Sequence, residues 1–153
     1  MDEIDHRLLD LLQDDAGRTL FELGELIGLS PSAVQRRIAR YRADRVLLKE
    51  VAVLDPRRLG PVVLATVLVT LVHETFEHHR AFADRMRETP QVQQCYNVAG
   101  PWDYVVILAA PSIHECGMLG NRLFKSDDNI QRYETLIVFD TVKTGLAIPL
   151  ANA

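Results

Sequence analysis

The sequence predicts an α+β chain in two parts, a three-helix unit followed by a pair of β-α-β units, and three observations carry that expectation. Apolar residues up to Tyr41 recur at helical spacing, punctuated by helix-start and helix-stop residues. From Val62 onward, strand-like runs and amphipathic stretches follow the order strand, helix, strand, strand, helix, strand. Between the two parts, Asp55 to Pro61 (DPRRLGP) interrupts the apolar pattern with two prolines, a glycine and paired arginines. The expected division is 1–46, a linker over 47–61 that begins with a short strand from Leu47 to Leu54, and 62–153.

Ile4, Leu8, Leu11 and Leu12 predict a first helix over Asp2 to Asp14. Leu20, Leu23, Leu26 and Ile27 predict a second, with Thr19 as its cap and Gly28 closing it in the left-handed conformation that costs glycine nothing. Ser30 and Pro31 open a third, serine as cap and proline in the first turn, where its missing amide is no loss. Val34, Ile38 and Tyr41 point inward; Ser32, Gln35, Arg36 and Arg40 lie opposite, with Arg37 at the boundary. Two short helices at a tight turn, the second bearing arginines, are a helix-turn-helix, whose usual work is reading DNA. Ser32, Gln35 and Arg36 are expected at base edges and Arg37 and Arg40 on phosphates, with Ser30 also among the DNA-binding residues.

Charge points the same way when read locally. The whole chain is mildly acidic, with 17 basic and 21 acidic residues among 153. Met1 to Ser30 holds Arg7 and Arg18 against eight acids, whereas Pro31 to Arg58 holds eight basic residues against Asp44, Glu50 and Asp55. That asymmetry turns one surface toward phosphate, and its modest size predicts that one copy binds weakly and that a dimer is needed.

In the second part, strands are expected over Val62 to Val72, Gln91 to Val98, Asp103 to Ala110 and Ile130 to Val142, with a Gly100-Pro101 turn. Helices are expected over Glu74 to Glu88, facing inward with His79, Phe82, Ala83 and Met86, and over Ser112 to Lys125, opening with a Ser112–Glu115 capping box and burying Ile113, Cys116, Gly120 and Leu123. Two right-handed β-α-β crossovers folded together make a ferredoxin-like four-stranded antiparallel sheet with both helices on one face. Val69, Leu71, Tyr104 and Val106 are expected on the other face, too apolar to stay wet, so that a second copy packs sheet against sheet.

Other chemistry finds little support. Val62 to Val72 is too short to span a bilayer, no signal peptide precedes Asp2, and a cytoplasmic protein that does not engage membranes is expected. Cys95 and Cys116 lack metal-type spacing. His73, Glu74, Glu77, His78 and His79 straddle a strand end and a helix start, where acids favour the dipole and histidines are solvated, so no metal is expected. There is no nucleophile elbow, P-loop or dinucleotide fingerprint, so no enzyme activity and no cofactor are expected.

Met1 to Leu9 (MDEIDHRLL), Gly17-Arg18, Gly28 to Ser32 with Arg37-Ile38 and Arg40, Leu54-Asp55-Pro56 with Leu59-Gly60, Cys95 to Val106 (CYNVAGPWDYVV), Glu134-Thr135 and Val142-Lys143 occur in an order that resembles the leucine-responsive regulator and AsnC family of transcription factors. The resemblance implies sheet-mediated dimers, assembly of dimers toward octamers, and an amino acid or related metabolite held between dimers beside Ala99, Gly100, Trp102 and Asp103. Asn97, Trp102, Asp103, Tyr133 and Thr135 are the expected contacts, with Asp103 paired to an α-ammonium group. Departures from the family pattern are Arg45, where a glycine usually ends the recognition helix, Glu50 in place of an aromatic, and a Pro101-Trp102 pair bulkier than the common turn and large enough to fill the pocket. A sequence-specific regulator is therefore expected; a low-specificity DNA-packaging factor and a ligand-independent regulator are the alternatives.

Overall fold

Side-chain caps set the three helices of the first unit. In the computed structural model, which describes residues 1–150, α1 (Glu3–Asp14) opens at a reciprocal box in which Asp2 accepts from the Asp5 amide at 2.7 Å and Asp5 accepts from the Asp2 amide at 2.9 Å. α2 (Leu20–Ile27) opens with the same device between Thr19 and Glu22, and ends at Gly28 with φ 71°. α3 (Pro31–Ala43) starts at Ser30, whose Oγ accepts from the Ala33 amide. Leu8, Leu9, Leu12, Leu23, Ile27, Val34, Ile38 and Tyr41 form the core between them. Two expectations shift: Leu26 is about half exposed, and the buried line along α1 is Asp5, Leu8, Leu9 and Leu12.

Past α3, Arg45 takes φ 56°, the one positive φ of a non-glycine residue among those described, in the place the family resemblance reserves for glycine. A side chain there costs about 1–2 kcal/mol of steric strain. The strand expected over Leu47 to Leu54 does not form; these residues have no regular structure, and Leu48, Val51, Val53 and Leu54 are exposed. An extended segment becomes a strand only beside a hydrogen-bonding neighbour, and among the described residues none pairs with it. The first unit also takes in the segment after Val142. Gln13 donates its side-chain amide to the Ile148 carbonyl at 3.0 Å and accepts from the Ile148 amide at 2.7 Å, and Leu150 packs on the helical core.

The second unit, Leu54–Val142, is a four-stranded antiparallel sheet in the order β2-β3-β1-β4, with β1 Val63–Leu71, β2 Val92–Asn97, β3 Tyr104–Ala110 and β4 Ile130–Ile137. α4 (Phe76–Glu88) follows β1, and α5 (Ile113–Gly120), continued by a π-helical turn Asn121–Lys125, follows β3. Both helices feed one core: Phe82 and Met86 from α4, Cys116 and Leu119 from α5, and Leu123 and Phe124 from the turn after it. Ser112 caps α5 by accepting from the Glu115 amide at 3.1 Å, but the return half of the expected box is not made. Ile113 is 64% exposed rather than buried, since it lies in the helix's first turn.

The faces of the sheet are the reverse of the expectation. Val69, Leu71, Tyr104 and Val106 point at the helices and are buried there with Ala65, Val67, Leu108 and Ala110. The alternating residues of the open face are Leu64, Thr66 and Leu68 on β1 and Val105, Ile107 and Ala109 on β3, all half-buried, with exposed Glu134 and Leu136 in register beside them on β4. The open face is apolar all the same, because the β1 and β3 runs are hydrophobic on both sides.

Candidate functional site

The outer side of α3 presents Ser32, Gln35 and Arg36 to solvent, and Ser30 Oγ lies 3.1 Å from Ser32 Oγ at its start. Proline in the first turn and serine at the cap leave this end of the helix free of bulky side chains, as close approach to a groove requires. The remaining arginines of α3 are engaged. Arg37 Nη1 contacts both Asp2 carboxylate oxygens at 3.0 Å and, more closely, Asp5 Oδ1, leaving its side chain only 21% exposed. Arg40 Nη2 donates to the same Asp5 oxygen at 2.6 Å, its guanidinium 5.5 Å from the Tyr41 ring centre. The Tyr41 hydroxyl donates to that oxygen at 2.5 Å, and Arg42 pairs with Glu50 at 2.8 Å. Among the described residues, Arg36 is the only α3 arginine without a carboxylate partner.

Asp5 is therefore a buried carboxylate at the meeting of α1 and α3, its side chain 3% exposed. Burial pushes its pKa up, but the Tyr41 hydroxyl, the Asp2 amide and the Arg37 guanidinium outweigh that and hold it well below the usual carboxylate range. Burial and the neighbouring carboxylate push the Tyr41 phenol up to about 12, and the hydrogen bond to Asp5 raises Arg37 further above its ordinary range.

In the second unit, the turn after β2 brings some of the expected effector residues together. Asp103 ties three strands: its amide donates to Val69 at 2.9 Å, its Oδ2 accepts from the Leu71 amide at 2.7 Å, and its carbonyl accepts from Asn97 Nδ2 at 3.0 Å. The other carboxylate oxygen has no hydrogen-bond partner among the described residues. Gly100 takes φ 154°, with open space where a side chain would stand, and Ala99 precedes it in the same exposed turn. Trp102 lies under Arg132, whose guanidinium is 4.0 Å from the ring centre. Tyr133 and Thr135 share one face of β4, in register with Val69 and Val67. That is the helix side, where Tyr133 packs 5.5 Å from the Phe124 ring, so within one chain Tyr133 and the Arg132-covered Trp102 are on opposite sides of β4.

The histidine group is spent elsewhere. Among the described residues, no three His, Cys, Asp or Glu side chains converge to hold a metal. His78 shares a 2.7 Å hydrogen bond with the Thr75 cap, and His79 shares one of 2.7 Å with the Tyr104 hydroxyl. Burial raises both thiols, Cys95 to about 11, which makes them poor nucleophiles.

Residues 1–42 match the AsnC-type helix-turn-helix domain, and residues 64–148 match the Lrp/AsnC ligand binding domain. The chain belongs to the Lrp/AsnC family of transcriptional regulators. An uncharacterized HTH-type transcriptional regulator of Sinorhizobium fredii is 32% identical over 150 residues, which cover 98% of this chain and 89% of that protein. The crystal structure of an AsnC family regulator from Agrobacterium tumefaciens is similar with a TM-score of 0.88 at 26% identity, covering 97% of each chain. A regulator of Neisseria meningitidis solved in complex with L-Met shares the fold, with a TM-score of 0.88 at 23% identity over 97% of this chain and 96% of that one.

As an Lrp/AsnC regulator, the chain combines a DNA-binding unit with a ligand-binding domain and is not an enzyme. Sequence reasoning missed Asp2 and Asp5 as partners of its recognition helix. The signal was present: Asp5 stands three residues before Leu8, on the inward line of α1, and a carboxylate placed there needs cationic partners. A carboxylate whose folded pKa is depressed contributes stability that is full above its unfolded value, about 3.9, and is lost as pH falls toward the folded one. Acid denaturation of the first unit, followed by circular dichroism, is therefore expected to steepen below about pH 4. In Asp5→Asn the overall stability is lower but that acid limb is shallower; an unchanged limb would remove Asp5 from the account.

Proposed function

We propose that α3 of a dimeric Lrp/AsnC regulator enters the major groove with Ser30, Ser32, Gln35 and Arg36 toward base edges and Arg40 toward phosphate, reading a specific operator. The observation that carries this reading is the outward row Ser32, Gln35, Arg36, with Arg36 unpaired among the described residues on a helix otherwise bound up in ion pairs. The dimer forms through the open sheet face, centred on Leu68, Val105 and Ile107, and brings two recognition helices to half-sites about one helical turn apart. Dimers assemble further, toward an octamer. An amino acid or related metabolite then binds at a contact between dimers, beside Asn97, Ala99, Gly100, Trp102 and Asp103 and with Tyr133 and Thr135. The unengaged Asp103 oxygen suits an α-ammonium group, and the L-Met complex of the Neisseria protein supports the ligand class.

The test is a gel shift on the DNA upstream of its own coding sequence against random competitor. Gln35→Ala is expected to relax preference at one base position by about tenfold while leaving affinity for random duplex unchanged. Equal affinity of the wild type for both duplexes would leave a packaging factor instead. Arg132 lying on Trp102 favours a second reading for the effector unit, a turn filled by its own side chains and a regulator that needs no ligand. Thermal-shift screening of the twenty amino acids separates the two, since a ligand of the folded state raises the midpoint by mass action.

A further inference from the structure

We propose that Asp5 and Asp2 are positioning residues that set how many positive charges the recognition helix offers to DNA, with Arg37 a strut between α1 and α3 and not a phosphate contact. This rests on the DNA-binding reading and deepens it. Two carboxylates face two guanidiniums, so the cluster is neutral as a group: Asp5 Oδ1 takes Arg37, Arg40 and the Tyr41 hydroxyl, and Asp2 takes a second contact from Arg37. Arg37 is held from both sides and mostly covered, whereas Arg40 keeps half of its side chain exposed and has donors left over.

The arrangement has two consequences. Hydrogen-bonding partners on a neighbouring helix fix the axis and rotation of α3, and so the direction in which Gln35 and Arg36 point. Withholding Arg37 from phosphate also lowers sequence-independent attraction, which depends on the number of phosphates neutralised and contributes nothing to discrimination. Arg42 is paired with Glu50 at the far end of the helix but stays 59% exposed, so it is not withheld as Arg37 is. The cationic face is therefore weaker than its four arginines suggest, and the base-reading residues carry a larger share of the binding.

The experiment measures the affinity of the full-length protein for random duplex and for the upstream DNA by fluorescence anisotropy over a range of sodium chloride concentrations. Asp2→Asn keeps a helix-capping side chain and removes one of Arg37's two carboxylates; Asp5→Asn removes the shared one. Both are expected to steepen the salt slope by about one and to tighten binding to random duplex about threefold to tenfold, with the ratio of specific to random affinity falling. Arg37→Met is expected to leave the slope unchanged, while Arg40→Ala flattens it by about one. The folded fraction of each variant, read by circular dichroism across the same salt range, corrects the active concentration, so a loss of stability does not pass for a change of slope.

The proposal is overturned if Arg37→Met flattens the slope as Arg40→Ala does, or if Asp2→Asn and Asp5→Asn leave slope and discrimination unchanged. A wild-type protein with no salt-dependent affinity for duplex at all would instead strike down the DNA-binding reading beneath it.

Discussion

On the sheet-to-sheet dimer proposed above, Leu68→Asp is expected to convert a wild-type dimer to a monomer at micromolar concentration. Leu68 lies in the middle of β1, a central strand, between Val105 on β3 and Glu134 on β4, and projects from the face that neither helix covers. When two such faces stack about 10 Å apart, their inward side chains interdigitate and exclude water. An aspartate at that point brings an unpaired carboxylate into the contact, beside Glu134, at a cost of several kcal/mol. Taking about 4 kcal/mol, the dissociation constant rises roughly a thousandfold. Sedimentation equilibrium reads the result directly. Operator affinity falls with it, since a lone recognition helix reaches one half-site. Within one chain, position 68 is only half-buried, and the helix-side core of Phe82, Val106 and Phe124 is untouched, so circular dichroism stays native. Retention of the dimer mass would place the interface elsewhere.

The misassignment of this face shows where a sequence stops being legible. Alternation tells which residues share a face, but it tells which of the two faces packs inward only when one of them is polar. In Val62 to Val72 (VVLATVLVTLV) both parities are apolar, so the existence and bounds of the strand could be read to within a residue while its sidedness could not. What decides it is packing from elsewhere in the chain: Phe82, Met86 and Phe124 seat on the parity of Val67 and Val69. Leu47 to Leu54 fails for a related reason. Its composition is strand-like, but a strand is made by its neighbour, and composition does not say whether that neighbour lies in the same chain.

Local signals did better. Caps at Thr19, Ser30 and Ser112 and the glycine stop at Gly28 depend on a few adjacent residues and could be read from their neighbours, whereas the strained position at Arg45 was marked only by the family resemblance. The Asp5 cluster joins residues more than thirty positions apart, beyond the reach of spacing, although the misfit of an acid on the inward line of α1 marked where to look. The outward row of α3 was legible because helical geometry alone separates Ser32 and Arg36 from Val34 and Ile38. In the turn after β2, the family resemblance pointed to Asp103 as a charge for a ligand, but its hydrogen bonds to β1 and β2 appear only in the folded chain.

That double engagement is expected to make both stability and ligand binding depend on Asp103. Asp103→Ala removes the acceptor for the Leu71 amide at the end of β1, leaving a donor that the sheet does not otherwise satisfy. Losing a hydrogen bond to a charged group costs about 1.5–3 kcal/mol, so the melting midpoint of the second unit should fall by several degrees. Asp103→Asn retains an oxygen acceptor at the same place and is expected to recover most of that loss. The two substitutions part on ligand binding. If Asp103 pairs with the α-ammonium of an amino acid, both abolish any thermal shift produced by the effector, the asparagine variant doing so while still well folded. An asparagine variant that kept the full ligand-induced shift would confine Asp103 to its structural role, and the turn would have to recognise its ligand through the Asn97 side chain and the backbone at Gly100. If the loss of stability appeared equally in both variants, the negative charge itself would be what the Leu71 amide requires.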